Sequence, residues 1–370
     1  MEDNKLMVRS VLLTSASFTG YNIGSGFATG IEALQFFGSW GAKFAFSGIA
    51  IALFISMAVL TAIYVTGFER RFDTSSEVYH YFCGEHIGII FDYYIYLSMI
   101  CVVLTMMSGA GATISQHSGL PPLAGASLMG GLCIVTALLG LEKLRKTLSY
   151  MCVFIILFVF FCWVYAIFTA GADQFASAVS IEQYAAAKRI LRANTFGIQN
   201  PYLSGLSSAG LLIGSGFAWA SATGALCGSK KEAVASGILS SMFYYATTAI
   251  VVYLVLVSMN HIVGMEVPML AVVQFFLPEL SAVYSCIIIL AIFSTISGRL
   301  FLIAKRYDRG NKKLNVAIVV GITVFSVVGA SFIPFSRLSN VMFSAMGAVG
   351  IILGAIVLAK SLIAKRAQNQ

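Results

Sequence analysis

The sequence predicts an all-helical integral membrane protein of ten spans, built as two inverted sets of five with the first and sixth spans broken in mid-membrane. Three observations predict it. Hydrophobic residues make up 59% of the 370 and charged residues only 10%, a balance far outside the soluble range. The apolar residues fall in runs of about 20, each long enough to cross ~30 Å of hydrocarbon as a helix. The six residues Ile23-Gly24-Ser25-Gly26-Phe27-Ala28 return unchanged as Ile213-Gly214-Ser215-Gly216-Phe217-Ala218, inside another apolar run.

The N-terminus is polar through Arg9 and shows no small-residue cleavage pattern, so no removable signal peptide is expected. Span 1 covers about 8–37, longer than one straight crossing requires because it holds the first glycine break. Span 2 (44–68) ends at the charged Glu69-Arg70-Arg71-Phe72-Asp73, and 74–83 reads as a short amphipathic helix along the interface. Span 3 (87–116) carries the small-residue run Ser108-Gly109-Ala110-Gly111-Ala112, which permits close helix contact, and Pro121-Pro122 then forces a turn. Spans 4 (123–141) and 5 (147–170) flank a basic loop. Residues 171–205 form a long non-apolar connection with helical spacing over 181–191. Span 6 (206–227) holds the second hexapeptide, and span 7 covers 234–259. A short amphipathic piece at 265–277 precedes spans 8 (281–303), 9 (314–332) and 10 (338–360).

The chain therefore divides into a first repeat over 1–170, an external connection over 171–205 and a second repeat over 206–370. Five spans per unit is an odd number, so the two units must face opposite ways across the bilayer. With the N-terminus in the cytoplasm, 18 of the 23 Lys and Arg residues lie inside, and only Lys43, Lys188, Arg189, Arg192 and Arg337 lie outside. That asymmetry predicts a multi-pass protein of the cell membrane with both termini cytoplasmic. It also assigns the net charge of +8 to topology and not to a nucleic-acid partner. The seven cysteines are odd in number and lack metal-ligand spacing, so they read as packing thiols.

Backbone amides freed inside a bilayer cost several kcal/mol each unless buried in protein or facing a wet cavity, so matched glycine breaks point to a binding site. At the first break, Gly24, Ser25, Gly26 and Phe27 present free N–H groups and let the backbone approach a small anionic ligand group. At the second, Ser215 and Gly216 offer a hydroxyl and close approach, while Phe217 and Trp219 offer aromatic walls. A packed Gly-x-Gly helix crossing is the plainer reading of either copy. Glu32 is the most notable ionisable residue within a span. It can meet a substrate amine, carry a coupling proton or face an external vestibule.

This layout, with Gly24-Ser25-Gly26-Phe27-Ala28-Thr29-Gly30-Ile31-Glu32 followed by Leu34-Gln35-Phe36-Phe37, resembles the YkvI-like membrane proteins of the amino acid, polyamine and organocation transporter superfamily. The resemblance implies the five-plus-five fold of the bacterial leucine transporter and secondary transport, and it places span 3 along the central site, where Tyr96 and Thr105 are candidates. On span 8, Ala291, Ser294 and Thr295 match the run that sodium-coupled relatives use for an ion site, with Gly20 and Ile23 supplying the complementary carbonyls. Phe27 stands where some relatives carry an amide, which argues against a second sodium. Ser294 and Thr295 can instead bond back to their own helix.

The expected function is sodium-coupled symport of a small amino acid or related zwitterion, with sodium the only cofactor and with lipid and a small molecule the only partners. Proton coupling, or an amine or betaine substrate, is the alternative within the same fold. A ligand sensor that does not transport is the alternative from another class. The four histidines have no metal or nucleophile spacing, and an enzyme is not expected.

Overall fold

The computed structural model describes residues 2–72, 74–139, 142–171, 177–306 and 312–368. Apart from one isolated bridge between Thr195 and Ile198, the described residues carry no β-structure. The chain opens with α1 (Glu2–Asn22), α2 (Ser25–Thr29) and α3 (Ile31–Phe36), three pieces of what the sequence presents as one span. After α4 (Ala42–Arg70), α5 (Ser75–Ser118) bends at Gly84, whose φ of 77° is not helical. This glycine separates the expected interfacial piece from the long crossing. Next come α6 (Pro122–Leu139), α7 (Glu142–Thr169) and the short α8 (Ala178–Ala186). The remainder holds α9 (Pro201–Gly224), α10 (Lys230–Val257), α11 (Met259–Ile262), α12 (Pro268–Phe276), α13 (Ser281–Arg306), α14 (Lys312–Ala330) and α15 (Phe335–Gln368).

Among the described residues, seven helices are long and apolar enough to cross a membrane, and Pro122–Thr136 and Phe154–Thr169 are shorter apolar helices. The chain is thus a membrane protein with several apolar helices. Local chemistry sets the helix starts. Asn200 accepts from the N–H groups of Tyr202 and Leu203 with Pro201 in the first turn, and Ser229 accepts from the Glu232 N–H while that carboxylate reaches back to Gly228.

α9 is the centre of the packing, held between α4 and α15 at backbone-to-backbone range. A Cβ on Gly210 or Gly350 would strike the backbone of Gly347 or Gly210 respectively, and one on Gly205 would meet the Gly48 carbonyl at 2.5 Å. Small residues bring membrane helices together in this way.

That packing corrects one expectation. The second hexapeptide does not break its helix, and α9 runs unbroken through Ile213 to Ala218. A glycine costs a helix only ~1 kcal/mol, whereas freeing buried backbone groups costs several each. Gly216 is useful to α9 as helix, since a Cβ there would lie 2.6 Å from the Phe18 ring. The copy in α9 therefore realises the crossing, and only the first copy realises the break.

A strap over 189–194 links elements far apart in the chain. Ala193 N–H donates to the Gln35 carbonyl at 3.0 Å, the Arg189 carbonyl accepts from Gly264, and Asn340 Nδ2 donates to the Arg192 carbonyl. Arg192 grips Glu182 of α8 with two N–H groups, at 3.1 and 2.6 Å, and lies 4.4 Å from the centre of the Trp40 ring.

Candidate functional site

The site is the interruption between α1 and α3. Ile23 N–H makes the last helical bond of α1, to the Thr19 carbonyl at 2.7 Å. Gly24 N–H then turns to the Asn22 carbonyl at 2.9 Å, so it does not make the bond that would have used the Gly20 carbonyl. Gly24 itself is extended, with φ −104° and ψ −158°. A second interruption follows at Gly30, where φ is 75° and a Cβ would press 2.5 Å from Met269 on α12. Two glycines thus end α2 on either side.

The groups released by these breaks are met by side chains. Tyr284 of α13, wholly buried, donates its hydroxyl to the Ala28 carbonyl at 2.7 Å. Without Gly30 that carbonyl would have served the helix. Thr29 Oγ1 donates to the Gly26 carbonyl at 2.9 Å. Such partners are what allow irregular backbone inside an apolar interior.

Several of the expected residues converge here. A Cβ on Gly24 would sit 3.1 Å from Thr295 Oγ1, which places the α13 hydroxyl directly against the break. Ala291, buried, and Ser294, half-buried, precede it on the same helix, and Ile23 is buried beside the interruption. Gly20 lies in the last turn of α1. Arg299, one turn beyond Thr295, donates Nη1 to the Thr295 carbonyl at 3.3 Å. Glu32 is half-buried on α3 and accepts from Tyr244 Oη of α10 at 3.4 Å. Its carboxylate lies in the space that a side chain on Gly26 would fill.

The second hexapeptide and the residue after it meet the last turns of α1. Ser215 Oγ donates to Asn22 Oδ1 at 2.7 Å, and Asn22 Nδ2 donates back to the Phe18 carbonyl at 3.0 Å. Trp219 stacks on Tyr21 at 4.8 Å with 4° between the ring planes, joining α9 to the end of α1. Phe217 is elsewhere, wholly buried against Tyr79 and Phe82 of α5. Phe27 is a core residue as well, 3% exposed. Ser25 opens α2, and its side chain lies outside what the structure describes. Of the span 3 candidates, Thr105 gives its hydroxyl to the Cys101 carbonyl of its own helix, and Tyr96 is half-buried.

Asn22, Tyr21, Tyr244 and Tyr284 are missing from the sequence reading. Asn22 carried a signal, being a lone amide in an apolar run directly before the break. The three tyrosines carried none, because each finds its partner through the fold.

No family profile matches the chain. It is 23% identical over 354 residues to the uncharacterized membrane protein YkvI of Bacillus subtilis, spanning 93% of this chain and 94% of that one. Over 132 residues it is 31% identical to the uncharacterized protein YyaD of the same organism, 35% of this chain and 36% of that one. Among solved structures, two mutant forms of the manganese transporter of Eremococcus coleocola each align with 99% of this chain and 73% of theirs. Both alignments have 12% identity and a TM-score of 0.45. Among the described residues no three His, Cys, Asp or Glu side chains gather as a metal site.

Proposed function

We propose that this chain is a secondary active transporter of the cell membrane, with ten spans in a five-plus-five inverted repeat and both termini in the cytoplasm. It moves a small amino acid or related zwitterion inward by alternating access, coupled to sodium. The observation that carries this reading is the non-helical Ile23-Gly24 stretch between α1 and α2, with Gly24 extended and facing the Thr295 hydroxyl. The Gly20, Ile23 and Ala291 carbonyls with the Ser294 and Thr295 hydroxyls form a neutral oxygen set suited to sodium, and one cation falling through about 100 mV supplies ~2.3 kcal/mol. Uptake of a radiolabelled amino acid panel into proteoliposomes tests it. Accumulation should follow an inward sodium gradient in the wild type and lose that dependence in Thr295→Ala. Sodium-independent accumulation by the wild type removes the ion assignment, and binding without accumulation favours a sensor.

Proton coupling is the second reading, and Arg299 favours it. A guanidinium held on the Thr295 carbonyl is a fixed positive charge beside the proposed cage, and it raises the cost of adding sodium there. Glu32 is then the coupling acid. Uptake driven by an inward proton gradient, and abolished by Glu32→Gln, is the result that selects this version.

A further inference from the structure

We propose that Glu32, seated in the notch left by Gly26, is the fixed counter-charge for a cationic group of the substrate, so that recognition at this site requires a protonated amine and does not require a carboxylate. The inference rests on the transporter reading for its biological sense but on separate geometry for its chemistry.

Three features of the fold place this acid. Gly26 belongs to α2, and its missing side chain leaves a space that the Glu32 carboxylate fills; even Glu32 Cγ would stand only 3.3 Å from a Cβ there. The turn at Gly30, with its positive φ, folds α3 back so that position 32 comes alongside position 26. On the other side, the Tyr244 hydroxyl reaches Glu32 Oε2 at 3.4 Å, a long bond that leaves most of the carboxylate's accepting capacity unused. Arg299 has its Nη1 engaged by the Thr295 carbonyl.

The consequence is electrostatic. A ligand carboxylate approaching the α2 amides would enter beside a fixed carboxylate and be repelled, whereas an ammonium would gain a charge-assisted hydrogen bond in a poorly solvated place. The same hexapeptide in α9 has no acid at the position that matches Glu32. The residue there is Ala222, and the next one, Thr223, bonds to the carbonyls of Trp219 and Ala220. The acid therefore distinguishes the broken copy from the unbroken one.

The test uses the purified full chain, in detergent for thermal shift and in proteoliposomes for uptake, and three matched probes: alanine, ethylamine and propionate. Binding is read by thermal shift and by competition for uptake. Alanine and ethylamine should both stabilise the wild type and propionate should not. Glu32→Gln should weaken ethylamine by about ten- to a hundredfold, the worth of a charge-assisted hydrogen bond. Gly26→Ala, which evicts the carboxylate from its notch without removing it, should weaken ethylamine in the same direction and keeps the test open if the Gln variant does not fold. Propionate binding as tight as ethylamine overturns the proposal, as does failure of alanine and ethylamine to bind the wild type. So does a Glu32→Gln protein that binds ethylamine normally while losing only the pH dependence of uptake, which makes Glu32 a proton site. Ethylamine binding without gradient-driven accumulation leaves the counter-charge standing and removes the transporter reading instead.

Discussion

Tyr284 shows how much one hydroxyl contributes at an irregular point in a membrane protein. Its bond to the Ala28 carbonyl replaces the helical bond that Gly30 prevents. Phe at this position keeps the ring, which stacks on Phe158 at 4.9 Å, but leaves a buried carbonyl without that donor. Tyr284→Phe should therefore cost about 1–3 kcal/mol, read as a lower unfolding midpoint in detergent. An unchanged midpoint would mean the carbonyl finds another donor. Glu32 is a second case at this scale. Its identity stood out in the sequence as an acid within a span, but what it touches did not, because Tyr244 lies 212 positions away.

At the scale of the element, α9 and the broken first span use one hexapeptide in two ways. In α9 it stays helical, with Gly214 facing Gly350 and Gly216 facing the Phe18 ring, and one turn earlier Gly210 packs on Gly350 backbone to backbone. Overpacking such a contact costs about 1–3 kcal/mol, and here no flexible side chain can yield. Gly350→Ala should destabilise the protein by that order. Gly354→Ala, where the added Cβ meets Ile213 Cδ1 at 3.4 Å, should be tolerated. Equal stability of the two variants would show that α9 and α15 can move apart. The amphipathic piece before span 3 was legible from apolar spacing and exists as the first part of α5, while the helix expected over 181–191 exists as α8 only to Ala186, the rest turning into the strap. The state of the second hexapeptide was not legible, since glycine allows both outcomes and only the neighbours of α9 choose.

At the scale of the whole molecule, the strap over 189–194 ties α3, the connection between α11 and α12, and α15 together through Gln35, Gly264 and Asn340. Arg192 holds the Glu182 carboxyl below the ordinary carboxylate range, first by hydrogen bonding and then by charge. A group whose value is lowered on folding contributes stability above its unfolded value and loses it as pH falls through the folded one. The strap should therefore loosen only on acidification below the normal carboxylate range. Hydrogen exchange over 187–195 should quicken there, and Glu182→Gln should show the faster exchange already at neutral pH. Because Glu182 is largely exposed the effect is local, and equal protection in the Gln variant at neutral pH would show that the pair does not hold the strap.

The sequence by itself determined that this is a helical membrane protein and that residues near Gly24 are unusual, because apolar length and glycine spacing are properties of a local stretch. It also singled out Glu32 by chemistry alone, and Thr295 through the family resemblance. Only the tertiary structure decided which hexapeptide unwinds, that Thr295 stands against Gly24, and that Tyr284, Tyr244 and Asn22 complete the break. Those outcomes depend on whether freed backbone groups and buried polar side chains find partners, and the partners lie 193, 212 and 256 positions away in the chain.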